Sequence, residues 1–102
     1  MKLEEGAAVV SLAGHDRGRC FFVVGKEEGY LLVADGRARK IEKPKRKKVR
    51  HIRVVGFPEG AVAEKLRRGE KVCNRELWMG VREFKEHSRS GHEEVASWQK
   101  KM

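Results

Sequence analysis

Short apolar runs of strand length, separated by glycine-containing turns, fill the first half of the chain, and beyond residue 58 the pattern changes to a period of about 3.6. The first run, AAVVSLA at 7–13, is small and β-branched and ends in the turn cluster GHDRG at 14–18. A second strand is expected over 19–25 (RCFFVVG), a turn over 26–29 (KEEG) and a third strand over 30–34 (YLLVA). Asp35-Gly36 follows, a pair suited to a type I′ hairpin turn because both residues tolerate positive φ. A fourth strand is therefore expected to pair back over 37–41. Pro44 interrupts that ladder, since it lacks an N–H and holds Lys43 extended. The alternation resumes over 49–55 (VRHIRVV), with Val49, Ile52 and Val54 as the inward set. Strands this short leave exposed edges in a flat sheet, so closure into a small barrel over 6–56 is expected.

After Gly56-Phe57-Pro58 the pattern becomes helical. Val62 and Leu66 share a face of a short helix over 59–68, with Gly69 as the residue that ends it. Asn74 is placed as the N-cap of a second helix, in which Leu77, Val81 and Phe84 recur at i, i+4 and i+7. Cys73 and Glu76 have capping-box spacing. Gly80 costs that helix about 1 kcal/mol relative to Ala, so it needs tertiary packing. The expected architecture is mainly β with C-terminal helices: a barrel with a basic loop over 1–57, a helical hairpin over 58–88 and a flexible tail over 89–102.

The charge is far less evenly spread than the apolar positions. Residues 37–53, RARKIEKPKRKKVRHIR, hold ten Lys or Arg against one acid, Glu42, and so carry the whole formal net charge of +9. The rest of the chain holds fourteen cations and fourteen acids. A concentrated field of one sign attracts a polyanion and is costly to keep without one, because like charges repel. A phosphate backbone is the partner this favours, and counterion release supplies the affinity. No recognition helix with base-reading side chains stands out, and a Pro-stiffened basic loop suits a shaped RNA backbone better than a DNA major groove. An acidic protein docked on the same surface, with Trp78 adding an apolar contact, is the alternative.

Residues 6–24, GAAVVSLAGHDRGRCFFVV, resemble a KOW motif: a strand, a loop with an obligatory glycine at Gly18, and a second strand. The continuation ADGRARKIEKPKRKKVRHI resembles bacterial KOW proteins similar to a large-subunit ribosomal protein family of archaea and eukaryotes. The resemblance implies an SH3-like barrel that binds RNA, often on the ribosome, without catalytic residues or cofactors. It implies contacts from the motif loop at His15, Arg17 and Arg19. With the basic stretch, the expected RNA-binding set adds Arg37, Arg39, Lys40, Lys43, Lys45, Arg46, Lys47, Lys48, Arg50, His51 and Arg53. The expected partner is RNA of the large ribosomal subunit, bound by a protein that is monomeric when free. A transcription-associated nucleic-acid binder shares the KOW barrel and is a further alternative.

Other chemistry finds little support. Of Phe21 and Phe22, on opposite faces of one strand, one is expected in the core and the other exposed; Tyr30 is a further candidate stacking platform. His87 and His92 with Glu93 and Glu94 lack the scaffold of a metal site. Cys20 and Cys73 form no C-x-x-C pair, and neither a phosphate-binding loop motif nor a nucleophile-elbow motif occurs, so no enzyme is expected. No run approaches the roughly 18 apolar residues of a membrane helix. The opening MKLEEG lacks the apolar segment of a secretory signal, so a reduced, cytoplasmic protein without membrane or small-molecule partners is expected.

Overall fold

A computed structural model describes residues 4–96, with side chains through His87. Five strands, β1 (Ala8–Ser11), β2 (Cys20–Glu27), β3 (Tyr30–Ala34), β4 (Lys45–Lys47) and β5 (Ile52–Gly56), form one antiparallel sheet in the order β4-β3-β2-β1-β5. A single 3₁₀ turn at Val49–His51 joins β4 to β5. Two helices follow, α1 (Ala61–Arg68) and α2 (Asn74–Ala96).

The parity of the strands divides the core in two. Val9, Phe21, Val23, Leu31 and Val33, with Ala7 and Ile52, form one buried cluster that contains no helical residue. Ala8, Phe22 and Ala34 lie on the opposite face, where Leu66 of α1 and Leu77 and Val81 of α2 close over them with Val72. Phe22 meets Phe84 edge to face, with ring centroids 6.3 Å apart. Gly56 makes room for that ring, since a Cβ there would sit 2.8 Å from two of its carbons. Phe21 and Phe22 are thus both core residues, one in each cluster. The expectation that one of them is exposed fails because the helices bury the second face of the sheet.

The fourth strand lies at Lys45–Lys47 rather than over 37–41. The cause is Asp35, whose Oδ1 accepts the N–H groups of Arg37 and Arg39 at 2.9 Å each. The backbone N–H groups of Asp35 and Gly36 both donate to the carbonyl of Arg39. A side-chain-stabilised turn thus takes the groups that a ladder would need. Pairing begins only after Pro44, with Val33 opposite Lys45 and Leu31 opposite Lys47. Val49, expected inward, is 53% exposed, because the 3₁₀ turn rotates it out of the alternation that starts at Ile52.

Gly69 ends α1 in the left-handed region at φ 74°, and the N–H groups of Gly69 and Glu70 donate to the carbonyls of Leu66 and Lys65. This is the paired pattern of a glycine-terminated helix. Helix α2 begins from Cys73, whose carbonyl accepts from Leu77 N–H and whose N–H donates to Glu76 Oε1 at 3.1 Å. The other carboxylate oxygen of Glu76 accepts from Lys65 Nζ at 2.7 Å and ties the two helices together. Gly80 lets the helices approach closely, since a Cβ there would lie 3.2 Å from that of Val62. Helix α2 continues to Ala96, past residue 88 where the helical pattern was expected to stop. A nucleated helix without proline gains a hydrogen bond with each added residue. Residues 97–102 of the expected tail lie outside the described residues.

Candidate nucleic-acid interface

The C-terminal ends of β1 and β3 and the start of β5 share one end of the sheet, which brings the 12–19 loop, the 35–44 loop and the 3₁₀ turn together. The 12–19 loop turns at Gly14 and Gly18, with φ of 80° and 86°. It is braced at both ends by Ser11, whose carbonyl accepts from Gly18 N–H and whose N–H donates to the carbonyl of Arg19.

Two cations of the basic stretch build this loop from beneath. Asp16 is 4% exposed, and its Oδ2 accepts Nη2 and Nε of Arg39 at 2.9 and 3.2 Å. Lys47 is 7% exposed and donates from Nζ to the carbonyl of Ala13 at 3.0 Å. That carbonyl also accepts the Ser11 hydroxyl at 2.9 Å. Leu12 N–H donates to the carbonyl of His51, which ties the 3₁₀ turn to the same loop. A buried ammonium needs a fixed acceptor, and a backbone carbonyl supplies it here.

Two other cations of the expected set point elsewhere. The Arg46 guanidinium lies 4.5 Å from the Tyr30 ring centroid and 3.2 Å from a carboxylate oxygen of Glu27, on the β2–β3 hairpin. Tyr30 is thus half-buried beneath a guanidinium and does not offer a bare stacking face. Arg37 lies 5.1 Å from the Trp78 ring centroid, against α2.

The remaining members surround the braced loop. His15, Arg17 and Arg19 are exposed on the loop itself, with Arg19 Nε 4.0 Å from the second oxygen of Asp16. Lys40 and Lys43 are exposed on the 35–44 loop, Lys45 is half-buried, and Lys48, Arg50 and Arg53 are exposed on the 3₁₀ turn and its flanks. His51 is half-buried. A dense set of outward cations on a loop held by inward ones can neutralise several phosphates without reorganising.

Three contributors escape a sequence reading. Asp16 is an acid in a basic loop, and that contrast was its available signal. The carbonyl of Ala13 leaves none. Asn74 was expected as a helix cap, but its amide faces the basic loop: Oδ1 accepts Ile41 N–H at 2.7 Å, and Nδ2 donates to the Glu42 carboxylate at 2.8 and 3.2 Å. The same contacts bring the start of α2 against the basic stretch.

A concavity of about 690 Å³ lies between the 58–63 segment and α2, lined by Phe22, Val62, Met79 and Phe84 among others, and it contains none of the expected RNA-binding residues. Met79 is 55% exposed at its side. Burial pushes the Cys20 thiol up to about 11, against a smaller lowering by Lys85, so it stays protonated and unreactive at neutral pH. Among the described residues no group of three or more His, Cys, Asp or Glu is placed to hold a metal, and no helix is long and apolar enough to cross a membrane. The side chain of His92 lies outside those described. No protein-family model and no curated protein matches the chain.

Proposed function

We propose that the domain is an SH3-like barrel of the KOW type that binds structured RNA without catalysis, in the cytoplasm and on the large ribosomal subunit. The observation that carries the reading is the division of labour in the basic stretch. Arg39 and Lys47 are spent on Asp16 and Ala13, while Arg17 and Arg19 on the loop they brace and Lys40, Lys43, Lys48 and Arg50 on the neighbouring segments are exposed. The strand order and the 3₁₀ turn before the last strand support the barrel topology. The positive-φ Gly18 in the loop supports the KOW likeness.

Binding of a labelled RNA hairpin, followed by fluorescence anisotropy across a salt series, tests the reading. Neutralising about five phosphates gives a slope of log K against log salt of roughly −3.5 to −4.5. Changing Lys45, Lys48 and Arg50 together to Ala flattens that slope by about 2 to 3. Lys47→Met leaves it close to the wild-type value, because that ammonium already holds a carbonyl. A flat salt response overturns the mechanism. Sedimentation of cell extract at low and high salt then tests the address: migration with the large subunit supports it, and migration at the top of the gradient at both salts removes the ribosome. Binding to acidic protein with no affinity for the hairpin would favour the partner-docking alternative.

A further inference from the structure

We propose that Asn74, at the start of α2 and outside the KOW-like segment, is a positioning residue of the RNA-binding surface: its amide fixes the 36–43 loop against the helix and holds Glu42 away from the phosphates. The inference rests on the RNA-binding reading above and adds the helical hairpin to it as a working part.

The two ends of one side chain make two different bonds to consecutive loop residues. The amide oxygen accepts Ile41 N–H at 2.7 Å, and the amide nitrogen donates to both carboxylate oxygens of Glu42. Only a side chain with an acceptor and a donor on one planar group satisfies both, which Asn does and Asp or Leu does not. Three further contacts hold the same loop to the same turns of α2. Gly36 lies against the Asn74 carbonyl and Trp78 N–H so closely that no Cβ fits. Arg37 covers Trp78, and Ile41 packs against the helix-covered core cluster. Lys40 and Lys43 are carried on the segment so fixed, and a turn from Lys43 N–H to the carbonyl of Lys40 sets their spacing.

Glu42 gives the arrangement its second consequence. It is the one acid among the ten cations of the stretch, and Lys40 is close enough for its charge to act on it. Released from Asn74, its carboxylate would compete with a phosphate for those cations. Bound to the amide, it keeps its charge at the helix side of the loop.

The test exploits the polarity of the bond. In N74D one oxygen can still accept Ile41 N–H, but the other faces the Glu42 carboxylate, and the like charges expel the loop. In N74D/E42Q the glutamine amide at 42 donates to the aspartate oxygen, so the bond returns reversed while net charge stays that of the wild type. Asp at the first turn of a helix is favourable to its dipole, so N74D is expected to fold. With a labelled RNA hairpin as probe, N74D weakens binding by about tenfold, the loss of roughly one charge-assisted hydrogen bond. The double variant returns to within about twofold of wild type, as coupled neighbours do. Amide exchange at Ile41 follows the same order, faster in N74D and restored in the double variant. If N74D and the double variant bind equally weakly, or N74D binds as the wild type does, the positioning role is overturned. If the wild type does not bind the hairpin, the RNA reading falls instead. Ile41 exchange still decides the anchoring on its own, and no change on N74D overturns it.

Discussion

The two loops at the basic end of the sheet share the Arg39–Asp16 pair but differ in their other supports. The 12–19 loop rests on cations of the basic stretch itself, Arg39 at Asp16 and Lys47 at Ala13. The 35–44 loop rests on α2, through Asn74, Trp78 and the close approach at Gly36. The 12–19 loop is thus held by Lys47 of β4 and by Arg39 of the neighbouring loop, and only the 35–44 loop makes the helices part of the surface. A basic stretch is not a uniform patch: neighbours such as Lys47 and Lys48 differ in kind, one a buried strut and the other free for a ligand.

Glycine substitutions separate the two supports most sharply. Gly36 has φ 84° and no space for a Cβ against the α2 backbone, so Gly36→Ala adds displacement of a helix to conformational strain. A loss of about 3 kcal/mol or more is expected in denaturant unfolding. Gly18 has nearly the same φ, but nothing lies within 4 Å of an added Cβ. Gly18→Ala should cost only the left-handed conformation, about 1 to 2 kcal/mol. Equal losses at the two positions would mean that the helix does not support the 35–44 loop.

Asp16→Ala breaks the other support. It removes the acceptor of Arg39, whose side chain is one-third exposed and so can partly recover with water. The expected loss is about 2 kcal/mol, between that of a neutral hydrogen bond and that of a fully buried ion pair. The hairpin should also bind more weakly, since Arg17 and Arg19 lose their platform. Asp16→Asn keeps an acceptor and should recover part of both. Full stability and full affinity in Asp16→Ala would show that the Arg39–Asp16 pair does not brace the loop.

The sequence made the strands legible because they are short apolar runs bounded by turns that carry glycine, and β3 falls where YLLVA predicts it. It also placed Phe21 and Phe22 on opposite faces. It could not show that both faces are covered, because that depends on α1 and α2 docking on the sheet. The fourth strand moved because Asp35-Gly36 fits either a hairpin or a side-chain-closed turn, and the choice lies in hydrogen bonds that spacing does not record. The basic surface was legible as charge but not as direction. Counting ten cations gave Lys47 and Lys48 the same weight. Asn74 was seen at the right place and given the wrong task, since a residue at a helix start can cap it or face outward to another loop.

Acid provides the finest separation of the two supports. The Asn74 amide, with the backbone N–H of Glu42 next in weight, holds the Glu42 carboxyl below its ordinary value of 4.5. A carboxyl with a depressed folded value favours the folded loop at all pH above its unfolded value and loses that contribution as pH falls through the folded one. Glu42 is fully exposed, so the effect is local rather than global. Following the Ile41 amide resonance by NMR from about pH 6 to about pH 3 should give a transition with its midpoint below 4.5. Glu42→Gln should abolish it. Glu76, lowered chiefly by Lys65, titrates on the same side of its ordinary value and loosens the start of α2, so its own resonance must be followed beside that of Ile41. Should Ile41 track Glu76 in the Glu42→Gln variant, the loop would be responding to the helix start as a whole. A transition that disappears with Glu42 assigns the acid-sensitive link to the Asn74 amide rather than to the other contacts between helix and basic loop.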